Sequence, residues 1–321
     1  MPSDVRCRPW FRIYKKRRIR KAWACNSTFL AEFYPRNSME KDRAPWWLWP
    51  NLLSIDAPLV AIAWGWMFAK AWGVVSVPWQ LWATLGLMVW MIYVLDRLVD
   101  VRREGPDANL EKRHSFHFQN RKWLFPLMAA VTLWCLYVGM FVLSRTVVMY
   151  GLFVIGLAVA YFAMAMTQSR EEHTGILKNS VAGLTFAYGT AAGIHAYSPV
   201  VSFGQMIFSW EVLLFAGLCA INMTAIDFWE LEGEDKEDAS ALLGMGTLMV
   251  GGAAMFFSLW ADDFNKPFFY AILVGAGGLH VLNRMHAKFD KHGRRLWVDL
   301  VIIVPVAVYW VWVRFDNSVL T

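Results

Sequence analysis

Met91-Ile92-Tyr93-Val94-Leu95-Asp96-Arg97-Leu98-Val99-Asp100-Val101-Arg102-Arg103-Glu104 decides how the chain is read. An apolar run of membrane length ends here in two aspartates four residues apart. On a helix, positions i and i+4 share a face, so both carboxylates point the same way. Tyr93 and Arg103 fall in the same stripe. A second apolar run closes in the same manner, with Asp227, Glu230 and Glu234 on one helical face. If both ends lie on one side of a membrane, they can meet.

Composition sets the class. The 321 residues are 57% hydrophobic and 17% charged, too apolar for an ordinary soluble domain. A spanning helix needs ~20 mostly apolar residues. Nine such runs lie near 52–69, 77–95, 123–143, 146–166, 179–197, 206–226, 241–260, 267–283 and 296–313. They are continuous rather than alternating, which excludes a β-barrel. The expectation is all-α: a polytopic bundle of nine transmembrane helices over residues 46–321, preceded by a basic tail over 1–45. The 19 tryptophans fit aromatic belts at the bilayer interfaces. Cys7, Cys25, Cys135 and Cys219 have neither a disulfide framework nor metal-site spacing.

The net charge of +6 is concentrated in particular loops and does not indicate a nucleic-acid partner. Arg97, Arg102, Arg103, Lys112, Arg113, Arg121 and Lys122 follow the second run. Arg170 and Lys178 follow the fourth, and Arg284, Lys288, Lys291, Arg294 and Arg295 the eighth. Intervening loops hold only Lys70, Arg145 and Lys266. Cytoplasmic loops carry the excess of Lys and Arg. The N-terminus is therefore expected in the cytoplasm and the C-terminus outside, in a bacterial inner membrane. Both acidic helix ends then face one compartment.

These ends have a bland reading and a chemical one. Isolated acids at span ends are commonly solvated or paired with a nearby arginine. Alternatively, two facing clusters suit a diphosphate carried by Mg²⁺, a hard ion held by one or two carboxylates, waters and substrate phosphates. Arg102 and Arg103 are placed to meet phosphate oxygens. Asn222 is a candidate pocket residue, or an interhelical hydrogen-bonding one. Lys178, beside Asn179 at the start of the fifth run, anchors the topology or binds phosphate. Gly183, Gly189 and Gly193 permit close helix packing. Asp56 and Asp299 sit near or within apolar runs and are expected to find partners in the bundle. Pro58 makes the first run irregular at its start. His114 and His117, in the loop after the second run, read as ordinary loop residues, with contact to a phosphate as the alternative. No nucleophile elbow, phosphate loop or His-Glu-x-x-His is present.

The pattern resembles the UbiA-type intramembrane prenyltransferases over about residues 50–315. Their first motif, Asn-Asp-x-x-Asp-x-x-x-Asp, aligns with 92–100. Asp96 and Asp100 match, while Ile92 and Tyr93 replace the leading Asn-Asp. Their second, Asp-x-x-Asp-x-x-x-Asp, aligns with Asp227, Glu230 and Glu234, glutamate replacing two aspartates and Glu232-Gly233 preceding the last acid. Lys178-Asn179-x-x-x-Gly183 also looks like the family. The family's tyrosine at the end of the fourth span corresponds to Tyr161, without its following lysine. The resemblance implies a Mg²⁺-dependent transferase. It would move a prenyl group from a polyprenyl diphosphate to a lipophilic acceptor inside the bilayer. Asp96, Asp100, Asp227, Glu230 and Glu234 would hold metal. Tyr93, Arg102, Arg103, Lys178, Asn179 and Asn222 would contact substrate. Trp90, Tyr93, Tyr188 and Trp229 are candidates to face an allylic cation. The altered first motif equally suits a non-catalytic lipid or isoprenoid carrier.

Residues 1–38 hold nine Lys/Arg between Arg6 and Lys21. Three readings compete: a polybasic tail, an organelle transit peptide, and untranslated sequence ahead of Met39-Glu40-Lys41-Asp42. The last is preferred. N-terminal sequencing of the native protein is expected to start at Met39, and peptides from 1–38 would refute it.

Overall fold

The computed structural model describes residues 49–104, 112–167, 175–199, 202–229, 235–263, 265–289 and 291–315. The tail over 1–45 lies outside them. Among the described residues nine helices dominate, in chain order: α1 (Asp56–Ala71), α2 (Trp79–Glu104), α3 (Arg121–Phe141), α4 (Arg145–Thr167), α5 (Ile176–His195), α6 (Trp210–Phe228), α7 (Asp235–Trp260), α8 (Lys266–Met285) and α9 (Lys291–Phe315). Each occupies one of the nine apolar runs. Short helices at Trp49–Leu52, Lys112–Gln119 and Phe203–Ile207 fill the connections. No strand occurs among the described residues.

Six segments among the described residues are long and apolar enough to cross a membrane: Trp79–Arg102, Arg121–Phe141, Arg145–Thr167, Phe203–Phe228, Asp238–Trp260 and Lys266–Lys288. The protein is therefore a multi-pass membrane protein on length and composition. Helices α1, α5 and α9 fall outside that set; α9 contributes only the shorter apolar stretch Leu296–Trp310, and the surroundings of the other two explain their exclusion. Helix α1 has only 16 residues, and Trp64, Met67 and Phe68 are fully buried. Helix α5 buries Asn179, Thr185, Thr190 and His195. Central helices meet protein, so they tolerate polar residues that a lipid-facing helix cannot. The outer helices show the converse. Only 11% of the apolar window is buried in both α3 and α4, leaving Leu133, Met140 and Val159 exposed. An apolar surface of that extent belongs in hydrocarbon.

Trp64 ties four helices together. Its ring stacks on Phe215 of α6 (4.4 Å between centroids) and meets Phe268 of α8 edge-on, while Nε1 donates to Ile302 O of α9 at 3.1 Å. The start of the first run is irregular, as Pro58 suggests. The helix Trp49–Leu52 stops, Ser54 adopts φ 54°, and α1 begins at Asp56.

Helices α5 and α6 approach each other closely. A Cβ added to Gly183 would lie 2.7 Å from Ala216 O and 2.7 Å from Ala220 N, two backbone atoms of one helical turn. Only glycine fits there. Gly193 faces Leu81 of α2, whose Cδ1 would lie 2.8 Å from such a Cβ, a side-chain end that can shift where the backbone at Gly183 cannot. Gly189 meets only Val154 at an ordinary 3.5 Å, so its glycine is not required by space. Without a hydrophobic drive between helices in lipid, such close contact supplies much of their association. Gly183→Ala is expected to cost about 1–3 kcal/mol and lower the melting temperature in detergent. Gly156, with open space around it on α4, is the control. Its change to Ala is expected to be neutral or to gain ~0.5–1 kcal/mol.

Candidate functional site

Side-chain hydrogen bonds show which helix ends lie together. Tyr161, near the end of α4, donates from Oη to Asp96 Oδ1 of α2 at 2.6 Å. Asn179, near the start of α5, donates from Nδ2 to Asp227 Oδ2 of α6 at 2.8 Å. Helices α4 and α5 are consecutive and packed antiparallel, so the end of one lies beside the start of the other. The C-terminal portions of α2 and α6 therefore lie towards one end of the bundle. The start of α1 joins them. Asp56 accepts from Asn51 Nδ2 at 2.9 Å and from its neighbour Ala57 N, and its charge reaches the Tyr93 hydroxyl.

Asp96 and Asp227 are thus each held by a neutral donor. An amide or a phenol orients a carboxylate without cancelling its charge, whereas a paired arginine would do both. Thr224, one turn before Asp227, lies 3.4 Å from the same Asn179 nitrogen and sends its own hydroxyl to Ala220 O. Asp100 is partly exposed and lies 3.9 Å from His114 Nε2, within ion-pair reach when the imidazole is protonated.

Tyr93 lies one turn before Arg97 on α2 and meets Phe186 of α5 edge-on, 6.4 Å between centroids. It is in electrostatic range of Asp56, Asp299, Arg97 and Cys219, and Tyr161 is in range of Asp96, Asp100 and Tyr93. Elements α1, α2, α4, α6 and α9 therefore all reach this region. Cys219 and Asn222 are three apart on α6 and share a face. Asn222 Oδ1 is buried on that side and finds no donor among the described residues. Asp227, five positions on, lies ~140° around the helix from Asn222.

The other expected site residues separate. Lys178 is half-buried at the start of α5, and Arg102 is exposed on the last turn of α2. Arg103 is helical, but its side chain lies outside the described residues, as do Glu230 and Glu234 entirely. Among the described residues, no three of His, Cys, Asp and Glu gather closely enough to hold a metal ion. Two of the expected aromatic faces are committed elsewhere. Tyr188 donates to Ile207 O, beside the helix that precedes α6, towards the opposite end. Trp229 is buried, donates to Asn283 Oδ1 at 3.1 Å and stacks on His286. Arg294 caps α6 by donating to Trp229 O at 2.6 Å.

Three participants are under-read from sequence. His114 and His117 are not loop residues but lie on the helix Lys112–Gln119, 6% and 1% exposed, with His117 Nε2 3.4 Å from Ser54 Oγ. Their spacing of three, on one face of a helix between two spans, is the available signal. Arg97 is 7% exposed beside Asp96, with its guanidinium 6.0 Å from the Tyr93 ring centroid and its Nε buried without an acceptor among the described residues. Charge counting alone assigns it to the topology signal.

No protein-family model, curated protein or solved structure matches the chain. The UbiA resemblance rests on the motifs quoted above.

The Asn179–Asp227 bond is open to a double-mutant cycle. Asn179→Ala and Asp227→Ala are each expected to lower stability, and the double variant to lose less than the sum by about 0.5–3 kcal/mol. Thermal unfolding of the purified protein measures this, and strict additivity would show that the pair is not coupled.

Proposed function

We propose that the protein is a Mg²⁺-dependent intramembrane prenyltransferase that moves a prenyl group from a polyprenyl diphosphate to a lipophilic acceptor. The observation that supports the reading is that Asp96 of α2 and Asp227 of α6 are each held by a neutral side chain, Tyr161 and Asn179, of the mutually packed helices α4 and α5. With it comes the nine-span arrangement, the basic loops and N-terminus cytoplasmic and the C-terminus outside, in a bacterial inner membrane.

The residues present suit a loosely caged ion rather than a closed one. Mg²⁺ keeps most of its waters and substrate phosphates and takes only one or two carboxylates. Asp96 and Asp100 would hold one position and Asp227 another, with Glu230 and Glu234 following on the same chain segment. When bound, the metal supplies neutralisation of charge on the departing diphosphate. The chain's own groups do the rest. Tyr161 fixes the rotamer of Asp96, and Asn179 that of Asp227. Lys178 and Arg102 stand at the helix ends, where phosphate oxygens would emerge into water. The bond from the allylic carbon to the diphosphate oxygen breaks, a bond from that carbon to the acceptor forms, and the acceptor gives up a proton. Tyr93 presents its ring inside the bundle, beyond the carboxylates. The apolar surfaces of α3 and α4 keep the isoprenoid tail in contact with lipid.

A non-catalytic isoprenoid or lipid carrier is the second reading. It is favoured by Ile92 and Tyr93 at positions where the resemblance implies Asn and Asp, and by Tyr161 already occupying one oxygen of Asp96. Purified protein, labelled prenyl diphosphates, Mg²⁺ and extracted lipids decide between them. Transfer is expected, falling ~100-fold or more in an Asp96→Ala/Asp227→Ala double variant. The carrier reading instead predicts no transfer and no thermal stabilisation by Mg²⁺ with a diphosphate analogue.

A further inference from the structure

Arg97 carries a charge that the fold buries and does not pair. The residue is 7% exposed, yet its guanidinium forms no ion pair and no hydrogen bond among the described residues. Of its three nitrogens only Nε is sealed off without a partner, so the terminal pair is what a ligand can reach. The carboxylates of this bundle end are engaged by other groups: Asp96 by Tyr161, Asp227 by Asn179, Asp56 by Asn51, and Asp100 by His114. A desolvated cation without a counter-ion is unfavourable. Arg97 is therefore suited to an anion that arrives from outside the chain.

Its place on α2 indicates which part of such an anion it meets. Tyr93, Asp96, Arg97 and Asp100 recur at spacings of three and four, so they share one helical face. That face turns towards α4 and α5, where Asp96 meets Tyr161 and Tyr93 meets Phe186. Phe186 lies two turns further into α5 than Asn179. Side chains on a helix lean towards its N-terminus, which for α2 is away from the acids. The guanidinium follows that rule and sits 6.0 Å from the Tyr93 ring centroid. Arg97 thus reaches inward from the acids, whereas Arg102 stands exposed on the last turn of α2.

A prenyl diphosphate entering from this end has its outer phosphate towards water and its inner phosphate, the one esterified to the allylic carbon, towards the bundle interior. We propose that Arg97 binds the inner phosphate, with its terminal N–H groups donating to the non-bridging oxygens. When the bond from the allylic carbon to the ester oxygen breaks, both electrons stay on that phosphate. The guanidinium then faces the charge left there. The choice of substrate rests on the transferase reading; the anion site itself rests on the burial of Arg97.

The test uses the full-length purified protein with Mg²⁺. Inorganic diphosphate binding is followed by thermal shift, and transfer is followed with a labelled prenyl diphosphate. Inorganic diphosphate is expected to stabilise the parent, and Arg97→Gln to raise the half-saturating concentration about tenfold or more. In transfer, Arg97→Gln is expected to lower kcat ~100-fold and to change KM far less, because the contact strengthens as charge develops. Arg97→Lys, which keeps the charge and loses the planar fork, should recover part of both effects. Arg121→Gln removes an exposed cation at the start of α3 and should leave both at parental values. Unchanged diphosphate affinity or unchanged kcat in Arg97→Gln would overturn the proposal. If the melting curve of Arg97→Gln departs from the parent, the same criteria apply to Arg97→Lys. A parent that diphosphate does not stabilise would overturn both the proposal and the transferase reading. Absence of transfer alongside diphosphate binding that depends on Arg97 would overturn the transferase reading and leave the anion site standing.

Discussion

The contact between α5 and α6 is the constraint on which the rest of the bundle depends. Gly183 brings the backbone of α5 against one helical turn of α6, at Ala216 and Ala220. One turn earlier on α5, Asn179 reaches Asp227 on α6. Steric fit sets the separation of the two helices, and the hydrogen bond sets how far one slides along the other. A side chain at 183 would push the helices apart, and the short reach of Asn179 would then fail. In hydrocarbon this matters more than in water, because burial of apolar area does not distinguish a helix neighbour from lipid. Fit and polar bonds remain, and this pair has both.

From that pair the bundle grows outward with falling polarity. Helices α5 and α1 are central and carry polar or small residues, while α3 and α4 present bulky apolar side chains to the outside. This gradient explains why α1 and α5, two of the three helices outside the six segments that a stricter length-and-apolarity criterion selects, are still found as apolar runs. A transfer scale measures the preference of a segment for lipid, and a helix surrounded by protein has no need to show it. The runs are legible because each is bounded by charge or by turn residues. The layering is not, because it depends on which faces meet, and lipid-facing and protein-facing residues are both apolar here.

The candidate site divides along the same line. Asp96, Asp100 and Asp227 are legible because helical spacing places acids on one face, a property of local sequence. The partners that hold them are distant in sequence: Tyr161 lies 65 residues from Asp96, and Asn179 lies 48 from Asp227. Asn179 and Tyr161 could be noted only through the resemblance. Nothing in the pattern assigns His117 to Ser54, 63 residues away, or turns Arg97 inward. Arg97 is instructive, because a basic residue next to a span end normally reports topology. Its 7% exposure shows that the same residue also places a buried positive charge 6.0 Å from the Tyr93 ring centroid.

The two ends of the bundle differ in how their acids are held, and the difference has a physical consequence. At the α2 and α6 ends, Asp96 and Asp227 take hydrogen bonds from a phenol and an amide, groups that bring no positive charge. Their negative field is oriented but kept, and an incoming cation would meet it undiminished by those donors. At the other end, Asp263 is bonded to Lys266 in water-exposed surroundings. That pair is locally neutralised and screened by water, so its field fades within a few ångströms. Glu211, held by the Ser209 hydroxyl instead, repeats on this face the arrangement of Asp96 and Asp227. Carboxylates positioned by neutral donors thus occur at both faces of one membrane protein, each beside aromatic rings. Such groups lose part of their hydration on folding and gain no counter-charge from their donors.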